Sequence, residues 1–508
     1  MKRIVFAFLI ICGLGGVCSE SKGADPALPE IFNADNLLWE VQLGTHQYTV
    51  PKVDGGRIFL GVNDSGLQHP AVKRTRGGIF MCLDEKTGKM IWQLPVPRNM
   101  AGTIEPYHFN HWRCGICSTP AIDGKYLYIV SSRGEILCID RRGQADGNDG
   151  PFTDELKYIK AESGYKLGGK DADIVWRFDL IEGADVVPHD VCGSSPVVLG
   201  DYVYACTSNG QDGRHRKVAN PKAPSLVVLD KRTGKLAAVE GEKMGYRIVH
   251  GNWSSPIVGR FGGRDMVLFA GGDWMLYAFE PFKPNPRAAK PEKLKCIWRQ
   301  ECCPKEYRVR NGKPIAYSGW RSKSPDGPSE IISIPAVHDG KVYATIGQSP
   351  VHGRGAGALS CIDGATGKKV WENRKVGRSL ANVLIHDGLA YVPDYSGKMH
   401  CIDAATGKSY WAHQMDAGVW TCSAVEVNGV ILISTEKRRT LWAFKAGRKK
   451  TVVGKCRMQS ESITPVIANG VMYFPTQKRI FALKIDAGLI KESKEKETAP
   501  QTRTDAVR

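Results

Sequence analysis

The densest run of residues able to do chemistry is His108–Cys117, HFNHWRCGIC. It places His108, His111, Cys114 and Cys117 three residues apart, so imidazoles and thiolates could contribute to a soft-metal site. The two cysteines could equally form a dithiol or disulfide pair within a packed loop, which is the interpretation we favour. Ser118 stands where a c-type haem attachment needs histidine after the second cysteine, which excludes that attachment.

Two further stretches carry candidate chemistry. Cys302 and Cys303 are adjacent; bonded to each other they would form a rigid ring able to stack on a planar ligand, whereas otherwise each pairs elsewhere or stays reduced. The segment Asp146–Glu155, DGNDGPFTDE, is acidic and glycine-rich like a calcium loop. It has Gly150 and Pro151 where an EF-hand needs Asp and Gly. We therefore interpret this segment as a surface turn.

A repeated hairpin must position these residues. The sequence CIDAATGKSYW at 401–411 recurs as CLDEKTGKMIW at 82–92 and CIDGATGKKVW at 361–371, and a shortened copy stands at 228–235. In each copy an alternating apolar run predicts a half-buried strand, and the Asp, Thr and Gly that follow predict a turn. The second strand places a Trp for packing against the next unit. Such a hairpin cannot bury its apolar face alone, so the repetition predicts stacked copies.

Weaker copies of this unit predict the whole fold. Positions equivalent to the Asp of the hairpin are Asp84, Asp140, Asp230, Glu280, Asp363, Asp403, Lys445 and Lys484. The last four lie about 40 residues apart, the length of a four-stranded propeller blade. The eighth unit lacks an outer strand, whereas Leu37–Leu43 (LLWEVQL) is an outer strand without a unit. We predict an all-β domain over residues 37–485, an eight-bladed β-propeller of four-stranded antiparallel blades closed by the N-terminal strand.

The ends of the chain and its charge indicate an exported protein. Lys2 and Arg3 precede an apolar run too short to span a bilayer, so residues 1–24 are predicted to be a signal peptide and the protein to lie in the periplasm or outside the cell. Cys18 makes a lipoprotein the alternative, with a poor lipobox. The charged segment 487–508 is predicted to be disordered. The net charge of +18 is scattered over turns, which predicts a basic surface able to contact anionic envelope polymers and argues against nucleic-acid binding.

The predicted binding face lies on one side of the disc. Most of the long insertions are second-to-third-strand loops or blade-to-blade connections, which share a face that we call the top. The inner strands begin there with small hydroxyl residues such as Ser194, Ser254 and Ser423. The candidate binding residues at this channel mouth are Trp253, Trp420, Arg378 and Glu461. Small residues are also what a crowded propeller centre requires.

The repeated LDxxTGKxxW units resemble the tryptophan-docking repeats of the pyrroloquinoline-quinone (PQQ) propeller superfamily, which includes quinoprotein alcohol dehydrogenases and BamB-type lipoproteins. The chain also resembles exported PQQ-like repeat proteins of planctomycete-type bacteria. The resemblance implies either of two functions. The first, which we favour, is a non-catalytic binding or scaffold propeller that docks an envelope protein or glycan on its top face. The alternative is a dehydrogenase using PQQ and Ca²⁺, with Cys302 and Cys303 as a displaced vicinal disulfide beside the quinone.

Overall fold

The computed structural model describes residues 34–485 except 99–112, 190–192, 288–290, 320, 323 and 325–326. The predicted signal peptide and C-terminal tail lie outside the described residues, as do His108 and His111. In the part of the chain that is described, no helix is long and apolar enough to cross a membrane.

Eight antiparallel sheets follow one another along the chain, which confirms the eight-bladed propeller. Blades 1 and 2 consist of β2 (Lys52–Asp54), β3 (Arg57–Asn63), β4 (Gly78–Asp84), β5 (Met90–Val96), β6 (Ala121–Asp123), β7 (Tyr126–Val130), β8 (Glu135–Asp140) and β9 (Asp173–Asp179). Blades 3 and 4 consist of β10 (Val197–Leu199), β11 (Tyr202–Cys206), β12 (Leu226–Asp230), β13 (Leu236–Val239), β14 (Ile257–Phe261), β15 (Arg264–Ala270), β16 (Met275–Phe279) and β18 (Cys296–Glu301).

The second half of the ring repeats the pattern. Blades 5 and 6 consist of β21 (Ala336–His338), β22 (Lys341–Ile346), β23 (Ala358–Asp363), β24 (Lys369–Asn373), β25 (Leu384–His386), β26 (Leu389–Pro393), β27 (Lys398–Asp403) and β28 (Ser409–Gln414). Blades 7 and 8 consist of β29 (Val425–Val427), β30 (Val430–Ser434), β31 (Thr440–Lys445), β32 (Val452–Arg457), β33 (Val466–Ala468), β34 (Val471–Pro475), β35 (Arg479–Lys484) and β1 (Leu37–Gln42).

The ring closes as predicted, because β1 is the outer strand of blade 8. It pairs antiparallel with β35, with Leu37 opposite Leu483 and Gln42 opposite Arg479. The closure removes the free edge that a sheet must otherwise protect.

One blade departs from the four-stranded prediction. The insertion after β16 contains β17 (Glu292–Lys293), which pairs in parallel with β13 and gives blade 3 a fifth strand. The remaining strands, β19 (Val309–Arg310) and β20 (Lys313–Pro314), form a hairpin between blades 4 and 5. The α-helices of the described residues are single turns at Glu155–Tyr158, Leu180–Ala184 and Lys305–Arg308, and short 3₁₀ turns lie at Ala34–Asn36, Asp64–Gly66, Gly143–Asp146 and Met244–Tyr246.

The repeated hairpin has the turn chemistry that its sequence predicts. In blade 5, the Asp363 carboxylate accepts hydrogen bonds from the Thr366 amide and hydroxyl, at 2.9 and 2.7 Å. Gly367 follows with φ of 73°, a conformation that costs other residues free energy. The Asp–Thr–Gly sequence therefore reverses the chain directly into the outer strand.

Where the outer strand of a blade carries a tryptophan, that residue packs on the next blade. Trp371 of blade 5 donates from Nε1 to the Ala404 carbonyl of blade 6 at 3.2 Å. Its ring covers Gly407, where a Cβ atom would lie 2.6 Å from the ring carbons. Trp176, on the outer strand of blade 2, covers Gly234 of blade 3 in the same way. Indole and glycine thus join neighbouring blades around the ring.

Candidate metal centre

Four histidines from separate top-face loops meet above blades 3 to 5. His189 lies in the connection from blade 2 to blade 3, and His250 lies in the connection from blade 3 to blade 4. His215 and His352 lie in the second-to-third-strand loops of blades 3 and 5. His189, His250 and His352 are buried, and His215 is half-buried.

In two of these rings the outer nitrogen, the one that points away from the other histidines, lies at hydrogen-bond distance from a backbone carbonyl. His189 Nδ1 lies 2.8 Å from the Gln211 carbonyl, and His352 Nδ1 lies 2.8 Å from the Ser318 carbonyl. A carbonyl oxygen only accepts, so both Nδ1 atoms carry the proton. In the neutral rings Nε2 then presents a lone pair, the arrangement that ligating histidines adopt in metalloproteins.

The inner nitrogens approach each other in two pairs. His189 Nε2 lies 2.9 Å from His250 Nε2, and His352 Nε2 lies 2.9 Å from His215 Nδ1. Two nitrogens that each bind one ion at about 2.0–2.1 Å lie about 2.9–3.4 Å apart. The candidate ligand atoms of His189, His215 and His250 all lie within 4.8 Å of one another. The rings are therefore placed for one metal ion between them, with His352 beside it.

A buried carboxylate faces the outer nitrogen of the third ring. Glu330 Oε1 lies 3.6 Å from His250 Nδ1 and accepts a hydrogen bond from the Tyr317 hydroxyl at 3.0 Å. The other oxygen of Glu330 is buried without a hydrogen-bond partner. Burial raises the pKa of Glu330 well above its usual range. The 3.6 Å separation is too long for a hydrogen bond, and His250 Nδ1 is likewise buried without a hydrogen-bond partner.

The electrostatics of the cluster favour a neutral ring at His250. Burial lowers the pKa of His250 well below its usual range, and the imidazoles of His189, His352 and His215 lower it further. Metal ligation requires neutral imidazole. A set of imidazole nitrogens suits Zn²⁺, Cu²⁺ or Ni²⁺ better than Ca²⁺ or Mg²⁺, which bind oxygen.

Of the residues predicted at the channel mouth, Trp253 contacts this cluster. Its ring centroid lies 4.8 Å from that of His250, and its Nε1 donates to the His189 carbonyl at 3.2 Å. Arg378 stacks on Tyr395 and donates to the Gly353 carbonyl. Glu461 accepts from Gln477 at 2.7 Å, and Trp420 is 40% exposed.

The small hydroxyl residues around the mouth hold neighbouring blades together. The Ser195 hydroxyl accepts a hydrogen bond from the Thr119 amide of the preceding blade, and the Ser255 hydroxyl accepts one from the Ser195 amide, both at 2.9 Å. Ser423 and Thr464 accept in the same way between blades 6, 7 and 8. These hydroxyls therefore have structural hydrogen bonds to make at the centre of the ring.

The vicinal cysteines do not fit a platform beside a quinone. Cys302 and Cys303 are free thiols with 0% and 1% exposure, packed in the core with Trp298 and Ile331. A buried thiol pair has no face to offer a planar ligand. Cys114 is also buried, and Cys117 is half-buried at the start of blade 2, whereas the two histidines of the same run lie outside the described residues.

The histidine cluster is not apparent in the sequence because its members are far apart along the chain. His189 and His250 are separated by 61 residues, and His215 and His352 are separated by 137. A signal was nevertheless present, because the insertions at 206–226 and 346–359 are predicted to share the top face and each contains a histidine. Histidines sorted by predicted loop face would have been brought together.

Comparisons with known proteins agree with the fold. Residues 298–417 and 355–507 match the PQQ_2 family model, described as outer membrane protein assembly factor BamB. No curated protein matches the chain significantly. BamB from Moraxella catarrhalis superposes with a TM-score of 0.52 at 12% identity, over 89% of this chain and 98% of that chain.

Two other solved structures are also similar. Saccharomyces cerevisiae Sqt1 superposes with a TM-score of 0.50 at 10% identity, over 89% of this chain and 99% of that chain. Quinohemoprotein alcohol dehydrogenase from Comamonas testosteroni gives a TM-score of 0.41 at 14% identity, over 88% of this chain and 81% of that chain. The superpositions on BamB and Sqt1 show a shared propeller fold, and their low identities leave the function to be argued from the site.

Proposed function

We propose that this PQQ-like β-propeller is a metal-dependent binding module of the bacterial envelope. A transition-metal ion bound by His189, His215 and His250, with His352 beside it, fixes the top-face loops on which a partner docks. The observation that carries the proposal is the pair of 2.9 Å contacts between inner imidazole nitrogens. In two of the four rings a backbone carbonyl engages the outer nitrogen.

The positions of the ligands favour an organising role for the ion over a catalytic one. A catalytic zinc site keeps one coordination position open for water or substrate, whereas a structural site is closed by protein ligands. Here the fourth imidazole, His352, lies 2.9 Å from His215 and borders the three candidate ligands, and His189, His250 and His352 are buried. The three ligands belong to the second-to-third-strand loop of blade 3 and to the connections before blades 3 and 4, so one ion joins three segments that are distant along the chain.

The envelope location and the partner rest on the sequence and on the family model. Residues 1–24 have the pattern of a signal peptide, and the matching family model is named for an outer membrane protein assembly factor. We place the partner among envelope proteins, with an envelope glycan as the second possibility. The top face is the docking surface because it carries most of the long loops.

Metal binding is tested by titrating the metal-free protein with ZnCl₂, CuCl₂ and NiCl₂ in a calorimeter. We expect one ion per chain, with micromolar or tighter affinity for at least one of the three metals. His250→Ala and His215→Ala should each weaken binding at least 100-fold, and His215 lies in a half-exposed loop where the substitution leaves the blades intact. His338→Ala, an exposed histidine on β21, is the matched control.

The organising role has its own readout. Amide hydrogen exchange of the loops 207–225 and 347–357 should slow when the ion is added, whereas exchange in the strands of blades 6 and 7 should not change. Binding of none of the three metals below about 100 µM would refute the metal centre. If a metal binds but amide exchange in the two loops does not slow, the metal site is supported and its role in ordering the docking face is refuted.

A further inference from the structure

A second unassigned site lies on the opposite face, in blade 2. Asp140 ends β8 and Asp173 begins β9, and the two residues are paired directly across the strands. Both are fully buried. Like charges directly opposite each other on neighbouring strands destabilise a sheet, and burial increases that cost. A buried aspartate pair at this position therefore needs something to neutralise it.

The acidic segment Asp146–Glu155 folds over this pair. The Asp149 amide donates to Asp173 Oδ2 at 2.8 Å, and Asn148 Nδ2 donates to Glu155 Oε2 at 2.9 Å. At Gly150 a Cβ atom would lie 2.6 Å from the Val175 side chain, so the segment packs closely on β9. Most of the segment is exposed, consistent with a surface turn, and it lies against the buried Asp173 and the strand β9.

Each of the three buried carboxylates uses one oxygen and leaves the other without a hydrogen bond. Asp140 Oδ1 accepts from the Arg142 amide at 2.7 Å, and Asp173 and Glu155 accept as described. The second oxygens, Asp140 Oδ2, Asp173 Oδ1 and Glu155 Oε1, are buried and have no hydrogen-bond partner. Most buried polar groups in proteins have a hydrogen-bond partner. Three buried oxygens without one, all at this insertion, are therefore unusual.

The cations nearby do not balance this charge. Lys125 Nζ lies 3.7 Å from Asp140 Oδ2 and 2.7 Å from Asp149 Oδ2, with its side chain 51% exposed. Arg142 pairs with Asp146 at 3.2 Å. Burial raises the pKa of Asp173 to about 7, with a further increase from the carboxylates of Glu155 and Asp140. Burial likewise raises the pKa of Asp140 and of Glu155.

We propose that Asp140, Asp173 and Glu155, covered by the Asp146–Glu155 loop, bind a hard divalent cation of the Ca²⁺ class. Ca²⁺ takes six to eight oxygen ligands at about 2.3–2.6 Å, commonly from carboxylates, backbone carbonyls and water. Among the described residues, no acidic triple has its ligand oxygens within 4.8 Å of one another. The ion therefore binds two carboxylates directly and draws the third in through water or through a small inward shift of the loop.

The test is calorimetric titration of the full chain with CaCl₂ at pH 7.5, together with thermal unfolding with and without calcium. We expect one Ca²⁺ per chain at millimolar or tighter affinity and a higher Tm when calcium is present. Asp173→Asn should weaken binding at least tenfold, and Glu155→Gln is a second variant that leaves the strand pair intact. Asp201→Asn, an exposed aspartate in the first-to-second-strand turn of blade 3, is the charge-matched control.

Calcium should raise the Tm of the wild type more than that of Asp173→Asn. No effect of 10 mM calcium on heat or Tm, or equal effects in the wild type and Asp173→Asn, would overturn the proposal. His250→Ala should bind calcium normally. The calcium site and the histidine site can therefore be supported or refuted independently.

Discussion

Two histidines of the proposed metal centre have one ring nitrogen bound by the protein and the other directed at the cluster. These are His189 and His352, in which backbone carbonyls accept from Nδ1. For His250 the facing group is Glu330, whose Oε1 lies 3.6 Å from Nδ1, beyond hydrogen-bond distance. Ligating histidines commonly donate their other ring N–H to a carboxylate, so in the proposed centre Glu330 is a positioning residue for His250.

Glu330→Gln should weaken transition-metal affinity 10- to 100-fold, because an amide cannot ionise to accept the His250 Nδ1–H when the ion binds. The metal-free protein should keep its thermal stability, because burial raises the pKa of Glu330 and already favours its neutral form. Calorimetric titration and unfolding in EDTA measure the two effects separately. If Glu330→Gln lowers the thermal stability equally with and without EDTA and leaves the metal affinity unchanged, Glu330 has only a structural role.

At the scale of elements, the unit of stability is the contact between one blade's indole and the next blade's glycine. The same pattern occurs at Gly88, Gly234, Gly367 and Gly407, where a Cβ atom would lie within 2.5–2.6 Å of the docking tryptophan. All four glycines have positive φ. Glycine is needed there twice, for the turn and for the space.

A pair of alanine substitutions in blade 6 separates these two requirements. Gly388 has φ of 69° and no atom within 4 Å of the position that a Cβ would occupy, so Gly388→Ala should cost about 1 kcal/mol from backbone conformation alone. Gly407 has φ of 74° and faces Trp371, so Gly407→Ala should cost about 1–3 kcal/mol more from overpacking. Urea unfolding of both variants gives the difference. Equal losses would show that indole packing does not require glycine.

The repeated elements were predictable from the sequence, and the metal centre was not. Asp363, Thr366 and Trp371 determine a turn and a packing contact within one hairpin and its neighbour. Their pattern can therefore be recognised in the sequence. His189 and His250, by contrast, meet only because the ring brings distant loops together. The acidic pocket lies between these cases, since Asp146–Glu155 was conspicuous in the sequence but the burial of Asp140 and Asp173 beneath it depends on strand register.

At the scale of the whole molecule, Glu85 joins the two ends of the ring. Its backbone carbonyl accepts from Trp39 Nε1 at 3.0 Å, and its carboxylate accepts from the Tyr473 hydroxyl at 2.9 Å. Trp39 belongs to the N-terminal strand, Tyr473 to blade 8 and Glu85 to blade 1. Three segments distant in sequence are thus fixed at the closure.

Trp39→Ala should lower the free energy of unfolding by about 3 kcal/mol, because it removes both the indole packing on Gly88 and the hydrogen bond to Glu85. Leu38→Ala, on the same strand but 52% exposed, should change it by less than about 0.5 kcal/mol. Chemical denaturation measures both. Similar small changes in the two variants would mean that β1 contributes little to holding the ring.

The closing strand also imposes an order in time. Residues 37–42 pair with residues 479–484. The N-terminal strand therefore stays unpaired until nearly the whole propeller has been synthesised. Until then both the waiting strand and the growing edge of the sheet are exposed to other chains. A chain interrupted before residue 479 can form individual blades but leaves two open edges, which mark it for aggregation or proteolysis. Ring closure therefore requires the complete chain, because the last strand supplies the partner of the first.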